Sequence, residues 1–488
     1  MRFGLAVLAL LALQAAVQIG SIRQESQTWD EGIHLAAGYS YWRTGDFRMN
    51  PEHPPFTKLW CALPLLWMDV RLPADESAWR ARDELNFGAL FLYTNRLSAD
   101  AILFPARCMT IVLTLALGLA IALWTRSQFG TAAALIALTL YVFDPNVIAH
   151  GRYVTSDLGV TLFSFLACVA WGHPLLAGVC LGLALGSKFS AVFLIPVFAV
   201  YIWKRRPALS DVAVMIATAL AVLAALYQGH LTLFWAGITQ QLAHNAGGHQ
   251  SYLFGNISQH GWWYYFPAAF AVKWPVAVLI LIACAVWIRP PKRAWFLTLP
   301  LAVYAAICLT SQIDIGVRHL LPLIPFLYIL LAVTVPRRLA LAALILLGCE
   351  SLSVYPDYLA FFNRLAGGPS QGPRYLLDSN IDWGQDTLKL KHWLNQRGIH
   401  SVCRVYFGQA ILAHYGIEEQ PLPGIEEPDA IRNLDCIAAV SVTPLYGLYV
   451  PGDRYRWLRA RTPVAKVGYS IYVYDLRKQQ SPPAALIR

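Results

Sequence analysis

Phe3-Gly4-Leu5-Ala6-Val7-Leu8-Ala9-Leu10-Leu11 opens an apolar run that lasts to Gly20, and shortly after it the chain reads Thr28-Trp29-Asp30-Glu31. The run is long enough to cross a bilayer, which needs about 20 residues. Two adjacent carboxylates where such a run ends carry charge to a membrane boundary, where it is costly and marks a site. Further along the same loop stands Asn50-Pro51-Glu52-His53-Pro54-Pro55, a histidine ahead of a double proline.

Working outward, this run is the first of eleven apolar segments. They lie near 3–20, 105–125, 131–149, 157–173, 175–187, 189–203, 211–228, 267–288, 294–310, 319–335 and 338–355. Only 14% of the 488 residues are charged, against about 25% in soluble domains, and the mean hydropathy is +0.47. The expected fold is a polytopic α-helical membrane protein of about 11 transmembrane helices. With the N-terminus in the cytoplasm, Arg2, Arg126, Lys204-Arg205-Arg206, Arg289, Lys292-Arg293 and Arg337-Arg338 fall on inner loops, and the short outer links keep only Arg152, Lys188 and Arg318. That is the positive-inside pattern. Much of the net charge of +10 is therefore a topological signal. No basic run interleaves with aromatics, so no nucleic acid is expected as a partner. No small-x-small cleavage site precedes Ser21, and residues 1–20 read as a retained span.

Residues 1–355 form the expected transmembrane domain. Its first outer loop, 21–104, is read as two surface helices, 30–44 with Ile33, Ala37 and Tyr41 on one face, and a second from Pro54 to about Met68. Residues 71–100 read as polar and irregular. The loop 229–266 is rich in His, Asn, Gly and Trp, and its Trp262-Trp263-Tyr264-Tyr265 suits an interfacial belt or a lid. Residues 356–488 read as a soluble periplasmic α/β domain, with strands at 374–379, 401–407, 436–442 and near 469–475, and a helix at 384–397. Cys403 and Cys436 could pair there. No cysteine has metal-ligand spacing.

Asp30 could take a proton from an acceptor or hold a divalent cation. Glu31 fits that role and a capping box with Thr28 equally well. Asp157 opens the fourth span at the same outer level, as a helix-dipole acid, an ion-pair partner of Arg152 or a convergent catalytic acid. Lys188 and Arg318-His319 are cations on a face that should be poor in them. Either they snorkel to head groups or they grip a phosphate. His53 caps the second surface helix or touches a phosphate. Asp382-Trp383-Gly384-Gln385-Asp386 reads as a helix start capped by Asp382, or as acceptor contact through Trp383 and Gln385.

Taken together, these motifs resemble the GT-C superfamily of lipid-carrier-dependent glycosyltransferases, in particular protein O-mannosyltransferases and the bacterial aminoarabinose transferase of lipid A. The resemblance rests on Asp30-Glu31, His53-Pro54-Pro55, Asp157, Gly182-Leu183-Ala184-Leu185-Gly186-Ser187-Lys188-Phe189, and Arg318-His319 with its two prolines. It covers about the first 355 residues. The tail departs from the eukaryotic mannosyltransferases, which puts a protein acceptor in doubt. The resemblance implies a GT-C-like fold, a polyprenyl-phosphate monosaccharide donor, and transfer with inversion to a glycan, lipid or protein acceptor at the outer face of a bacterial inner membrane. Asp30 is then the base, with Glu31 or Asp157 assisting. Lys188, Arg318 and the two histidines His53 and His319 hold the leaving phosphate. No ligand set demands a divalent cation. A lipid flippase or transporter is the rival reading. Such proteins show internal pseudo-symmetry or mid-membrane polar groups, whereas the ionisable groups here gather at one face.

Overall fold

The computed structural model describes residues 1–477, and each of the eleven apolar stretches carries a helix. By length and composition, four can cross a membrane singly: Arg2–Ile22, Ala99–Phe129, Leu209–Leu226 and Val317–Thr334. A fifth is the pair Tyr265–Lys273 and Val276–Val286, bent by 118°. The break falls at Trp274-Pro275, where proline removes a backbone donor and ends the first helix. Thr131–Val142 and Pro174–Leu185, of 12 residues each, reach only about 18 Å at 1.5 Å per residue. That is short of the roughly 30 Å hydrocarbon layer. Elsewhere a 3-10 turn lengthens the rod, as where Phe189–Phe193 leads into Leu194–Arg205.

Arg2–Ile22 is turned inside out relative to a helix in water. Gln14, Gln18 and Ser21 are buried, while Leu5, Leu8 and Leu13 face outward. Leu209–Leu226 likewise turns Leu209, Ile216 and Leu220 outward. Polar side chains turned inward and leucines outward suit a helix whose solvent is apolar.

The first long loop is more enclosed than expected. Glu31–Thr44 is buried on every side from Glu31 to Tyr41, packed between Phe56–Ala62 and Glu84–Tyr93, so it is not a surface helix. A Cβ on Gly38 would lie 2.1 Å from the Lys58 carbonyl oxygen. Only glycine lets these two helices cross so closely. The second helix starts at Phe56 with Pro55 as its cap, two residues later than Pro54 at its first position would require. Residues 71–100 are not irregular: Glu84–Tyr93 is a helix capped by Asp83, whose side chain accepts from the Asn86 N–H. Its Phe87, Phe91 and Leu92 join the core around helix Glu31–Thr44.

Within 229–266 the structure forms a helix, Leu231–Gly247, and a hairpin of β1 (Ser251–Leu253) and β2 (Asn256–Ser258). In the tail lies a five-stranded sheet of β3 (Ser401–Val405), β4 (Glu418–Pro421), β5 (Ile437–Ser441), β6 (Ala465–Val467) and β7 (Ile471–Asp475). Its order is β4-β3-β5-β7-β6. β3 runs parallel to β4 and β5, and β7 antiparallel to β5 and β6. Cys403 and Cys436 are disulfide-bonded, joining β3 to the residue before β5. The strand expected at 374–379 is absent. In its place 3-10 turns at Pro369–Arg374 and Asp378–Asn380 tie the tail to the helices. The Ser379 hydroxyl donates to the Ile315 carbonyl (2.7 Å), the Val317 N–H to Asn380 Oδ1 (3.0 Å) and Lys273 Nζ to the Asn380 carbonyl (2.6 Å). The backbone here bonds locally instead of to a neighbouring strand: the Tyr375 and Leu376 N–H groups donate to the Gly372 carbonyl, and the Asn380 N–H to the Leu377 carbonyl.

Candidate active site

Asp30 caps helix Glu31–Thr44 by position, but its side chain makes no capping bond and turns instead to Arg318. Arg318 Nη1 donates to Asp30 Oδ2 at 3.0 Å and lies 3.8 Å from Asp157 Oδ2. Lys188 Nζ lies 2.5 Å from Asp157 Oδ1. Asp30, Arg318, Asp157 and Lys188 thus form one chain of alternating charge, drawn from four separate segments. The Asp30 and Lys188 side chains stay 19% and 16% exposed, and Asp157 only 2%. Asp157 therefore holds both cations from behind, while Asp30 and Lys188 can be touched.

The other charges at this level are spoken for. Arg152 does not pair with Asp157. It donates to Glu25 at 2.6 Å, and both side chains are buried. Glu31 accepts two bonds from Arg107 (2.6 and 2.8 Å), one from the Thr28 N–H (2.9 Å) and one from the Val154 N–H (3.1 Å). Burial alone would raise its pKa, but the Arg107 charge and these bonds hold it below the usual value. The Thr28 hydroxyl has no partner, so only half of the expected capping box forms. Among the described residues no three His, Cys, Asp or Glu side chains gather as a metal site.

Two cavities meet at the Asp30–Arg318 pair. Trp29, Asp30, His249, Ile315 and Arg318 line both. One, of about 550 Å³, is amphiphilic. It holds Lys188, Arg318, His319, His53 and His34, has an aliphatic wall of Val192, Ile238, Leu242, Ile307 and Ile313, and carries Glu52 and Glu84 beside Asn50. The His53 and His34 rings meet edge to face at 4.9 Å, and His34 Nδ1 lies 2.9 Å from the Val154 carbonyl. Burial, reinforced by His34, Lys58, Lys188 and Arg318, keeps His53 well below its ordinary pKa. It is therefore neutral at pH 7. His319 stacks on Phe266 (6.1 Å). His53 does not cap a helix. Its carbonyl accepts from Lys58 Nζ (2.7 Å), which also donates to the Asn50 carbonyl (2.7 Å) and the Tyr41 hydroxyl (2.8 Å). Lys58 pins the whole turn that carries Glu52 and His53.

The second cavity, of about 510 Å³, is aromatic. Trp29, Trp383, Tyr406, Phe407 and Tyr449 wall it, with Asp378 and His249 as polar groups. The Arg318 guanidinium sits 4.4 Å from the Trp383 ring centroid, and the Trp29 N–H donates to the Trp383 carbonyl at 2.9 Å. Gln385 does not line the cavity. Its side chain accepts from the Trp383 N–H (2.8 Å) and donates to the Ile381 carbonyl (3.1 Å). Asp382 does not cap a helix but accepts from the Thr443 N–H (3.1 Å), and the helix Thr387–Asn395 begins after Asp386. Burial, against the Thr443 bond, lifts Asp382 to about 8.

The structure thus brings Asp30, Asp157, Lys188, Arg318, His53, His319 and Trp383 to one place, and leaves Glu31 and Gln385 behind it. His34, Lys58, Phe407 and Tyr449 do not stand out in the sequence, and His249, in the His-rich loop, and Asp378, in the stretch Asp378–Asp386, have no role assigned there. The signal at Asp378 is an acid between Leu377 and the polar Ser379-Asn380.

No family model and no curated protein matches the chain. Among solved structures it is similar to ArnT from Cupriavidus metallidurans in the apo state, with 13% identity and a TM-score of 0.48 over 98% of this chain and 98% of that one. It is similar to the same protein bound to undecaprenyl phosphate, with 13% identity and a TM-score of 0.48 over 98% and 99%. It is also similar to the S. cerevisiae protein O-mannosyltransferase Pmt1-Pmt2 complex bound to the sugar donor, with 16% identity and a TM-score of 0.34 over 49% and 34%.

Proposed function

We propose that this chain is a membrane glycosyltransferase that moves a sugar from a polyprenyl-phosphate monosaccharide to an acceptor outside the cytoplasm, with inversion at the anomeric carbon. One observation carries the reading: Asp30 and Arg318 stand on the wall common to two cavities of unlike chemistry. The amphiphilic cavity suits an amphiphile, its aliphatic wall taking isoprenoid and its Lys188 and Arg318 end taking phosphate. Arg318 Nε is buried without an acceptor. An unpaired buried donor costs about 1–3 kcal/mol, which a phosphate oxygen would recover.

In the proposed step an acceptor O–H enters from the aromatic side and gives its proton to Asp30. The acceptor oxygen bonds to the anomeric carbon as the bond from that carbon to the phosphate oxygen breaks on the opposite face. The electron pair leaves with the polyprenyl phosphate, whose charge Lys188 and Arg318 hold, with His53 and His319 alongside. Donor phosphate competes with Asp30 for Arg318, which frees the carboxylate when it is needed. Asp157 is a positioning residue for the two cations, and Glu31 one for the Asp30 segment. Trp383 supports Arg318 and walls the acceptor side, and Gln385 holds the Trp383 backbone.

Titration of the purified protein with undecaprenyl phosphate tests the donor assignment. Charge-assisted hydrogen bonds contribute about 1.5–3 kcal/mol, so Arg318→Ala should bind the carrier about 10–100-fold more weakly. Equal affinity in both proteins would reject the phosphate role. Binding with no transfer, together with carrier movement across vesicles, would favour the transporter reading.

In the proposed topology the eleven apolar segments are spans of a bacterial inner membrane, the N-terminus is cytoplasmic, and residues 356–488 form a periplasmic domain. A reporter fused after Tyr355 is expected to be active only outside the cytoplasm. Cytoplasmic activity would refute this arrangement.

A further inference from the structure

We propose that the aromatic cavity receives the uncharged, hydroxyl-bearing end of a glycan, gripped by Asp378 and Tyr449, and that the acceptor is not a phosphate-bearing group. The inference rests on the function proposed above and names the acceptor class.

Charge decides against an anion. Among the described residues Arg318 is the one cation lining this cavity. It is already bound to Asp30, and it also lines the amphiphilic cavity, where a donor phosphate would claim it. A phosphate in the aromatic cavity would meet the carboxylates of Asp30 and Asp378 with no cation left. Lys188 lines only the other cavity.

Shape and hydrogen bonding favour a sugar. Trp29 stacks on Phe407 (4.9 Å) and Phe407 on Tyr449 (5.4 Å), giving a column of rings along the wall. Apolar walls with a few convergent polar groups are how a small-molecule site fixes orientation, and about 510 Å³ lies within the usual range of about 300–1,000 Å³. The C–H surfaces of a sugar ring pack on such rings, and its hydroxyls need acceptors. Those are supplied by a connected set: the Tyr449 hydroxyl donates to Asp378 Oδ2 (2.5 Å), and His249 Nε2 lies 3.0 Å from the same hydroxyl. Burial, moderated by Tyr449, lifts Asp378 only to about 6, so it is an ionised acceptor at pH 7.

Both members of the pair hold left-handed backbone, φ 58° at Asp378 and φ 62° at Tyr449. For a bulky Tyr that is a true outlier, and such strain is kept where the surroundings impose it. A peptide acceptor would want backbone partners or a free strand edge. The strand reaching this wall, β3, pairs with β4 from Ser401 to Arg404 and with β5 from Cys403 to Val405, so at this end only the last residue of one edge is open.

The test titrates the full-length protein in detergent with maltose, cellobiose, diacetylchitobiose and mannobiose, with glucose 6-phosphate and mannose 6-phosphate, and with a Ser/Thr-rich peptide. Trp29 and Trp383 provide the fluorescence signal. At least one uncharged disaccharide should bind, at least tenfold tighter than either hexose phosphate or the peptide. Asp378→Asn and Phe407→Ala should each weaken that binding at least tenfold. Tyr449→Phe, which keeps the ring, serves should either variant misfold. Silence from every disaccharide, tighter binding of a phosphate or the peptide, or binding indifferent to Asp378 and Tyr449 would overturn the proposal. Undecaprenyl phosphate is titrated in parallel. If it binds wild type while the disaccharides do not, the acceptor inference fails and the donor reading stands. If it fails to bind wild type, the donor reading fails independently of the disaccharide result.

Discussion

Asp30→Asn is expected to lower sugar transfer by about 100- to 10,000-fold, the range contributed by a positioned general base, while the protein still binds undecaprenyl phosphate. The amide keeps an oxygen where Arg318 Nη1 now donates at 3.0 Å, so the cation should stay in place. The lost function is proton acceptance alone. Arg318→Ala should show the complementary pattern, with the carrier lost first. Measuring carrier affinity and single-turnover transfer on both variants separates the two roles. Transfer at the wild-type rate by Asp30→Asn would remove Asp30 as the base and leave it only as an anchor for Arg318.

Arg107→Met should produce the largest loss of stability. Arg107 donates to both Glu31 oxygens and to the carbonyls of Ile22, Glu25 and Ser26, so one guanidinium fixes the path from the first helix to Asp30. Both side chains are buried, 3% and 0% exposed. Removing one partner of a buried pair leaves the other charge uncompensated, at a cost of about 3–5 kcal/mol. Replacing both, as in Arg107→Met with Glu31→Gln, should recover part of that loss. Thermal unfolding in detergent reads both, and an unchanged midpoint for Arg107→Met would refute the role. The Glu31 carboxyl titrates below its ordinary 4.5. The stabilisation from the pair is therefore in force above that pH and is lost as pH falls through the lowered value.

The long apolar runs made the helices legible in the sequence, because continuous apolar sequence has few other ways to satisfy its backbone in lipid. Asp30, Asp157, Lys188 and Arg318 were legible for a related reason. A charge at the end of an apolar run is costly enough to stand out. Helix Glu84–Tyr93 was hidden by the charged residues that open it, since its buried face is only Phe87, Gly88, Phe91 and Leu92. Helix Leu231–Gly247 was hidden because it buries little more than Phe234 and Gly237.

What local pattern could not decide was which acid works and which one braces. Asp30 and Glu31 are neighbours in the chain, but successive residues on a helix point about 100° apart. One therefore faces Arg318 in the cavities and the other faces Arg107 in the core. The partners come from residues 107, 157, 188, 318 and 378–383, and only folding sets their distances. The sequence by itself determined that charge would be held where apolar helices end. The tertiary structure decided which charges touch and that an aromatic chamber lies on the far side of Asp30, because burial and pairing depend on contacts between segments remote in the chain.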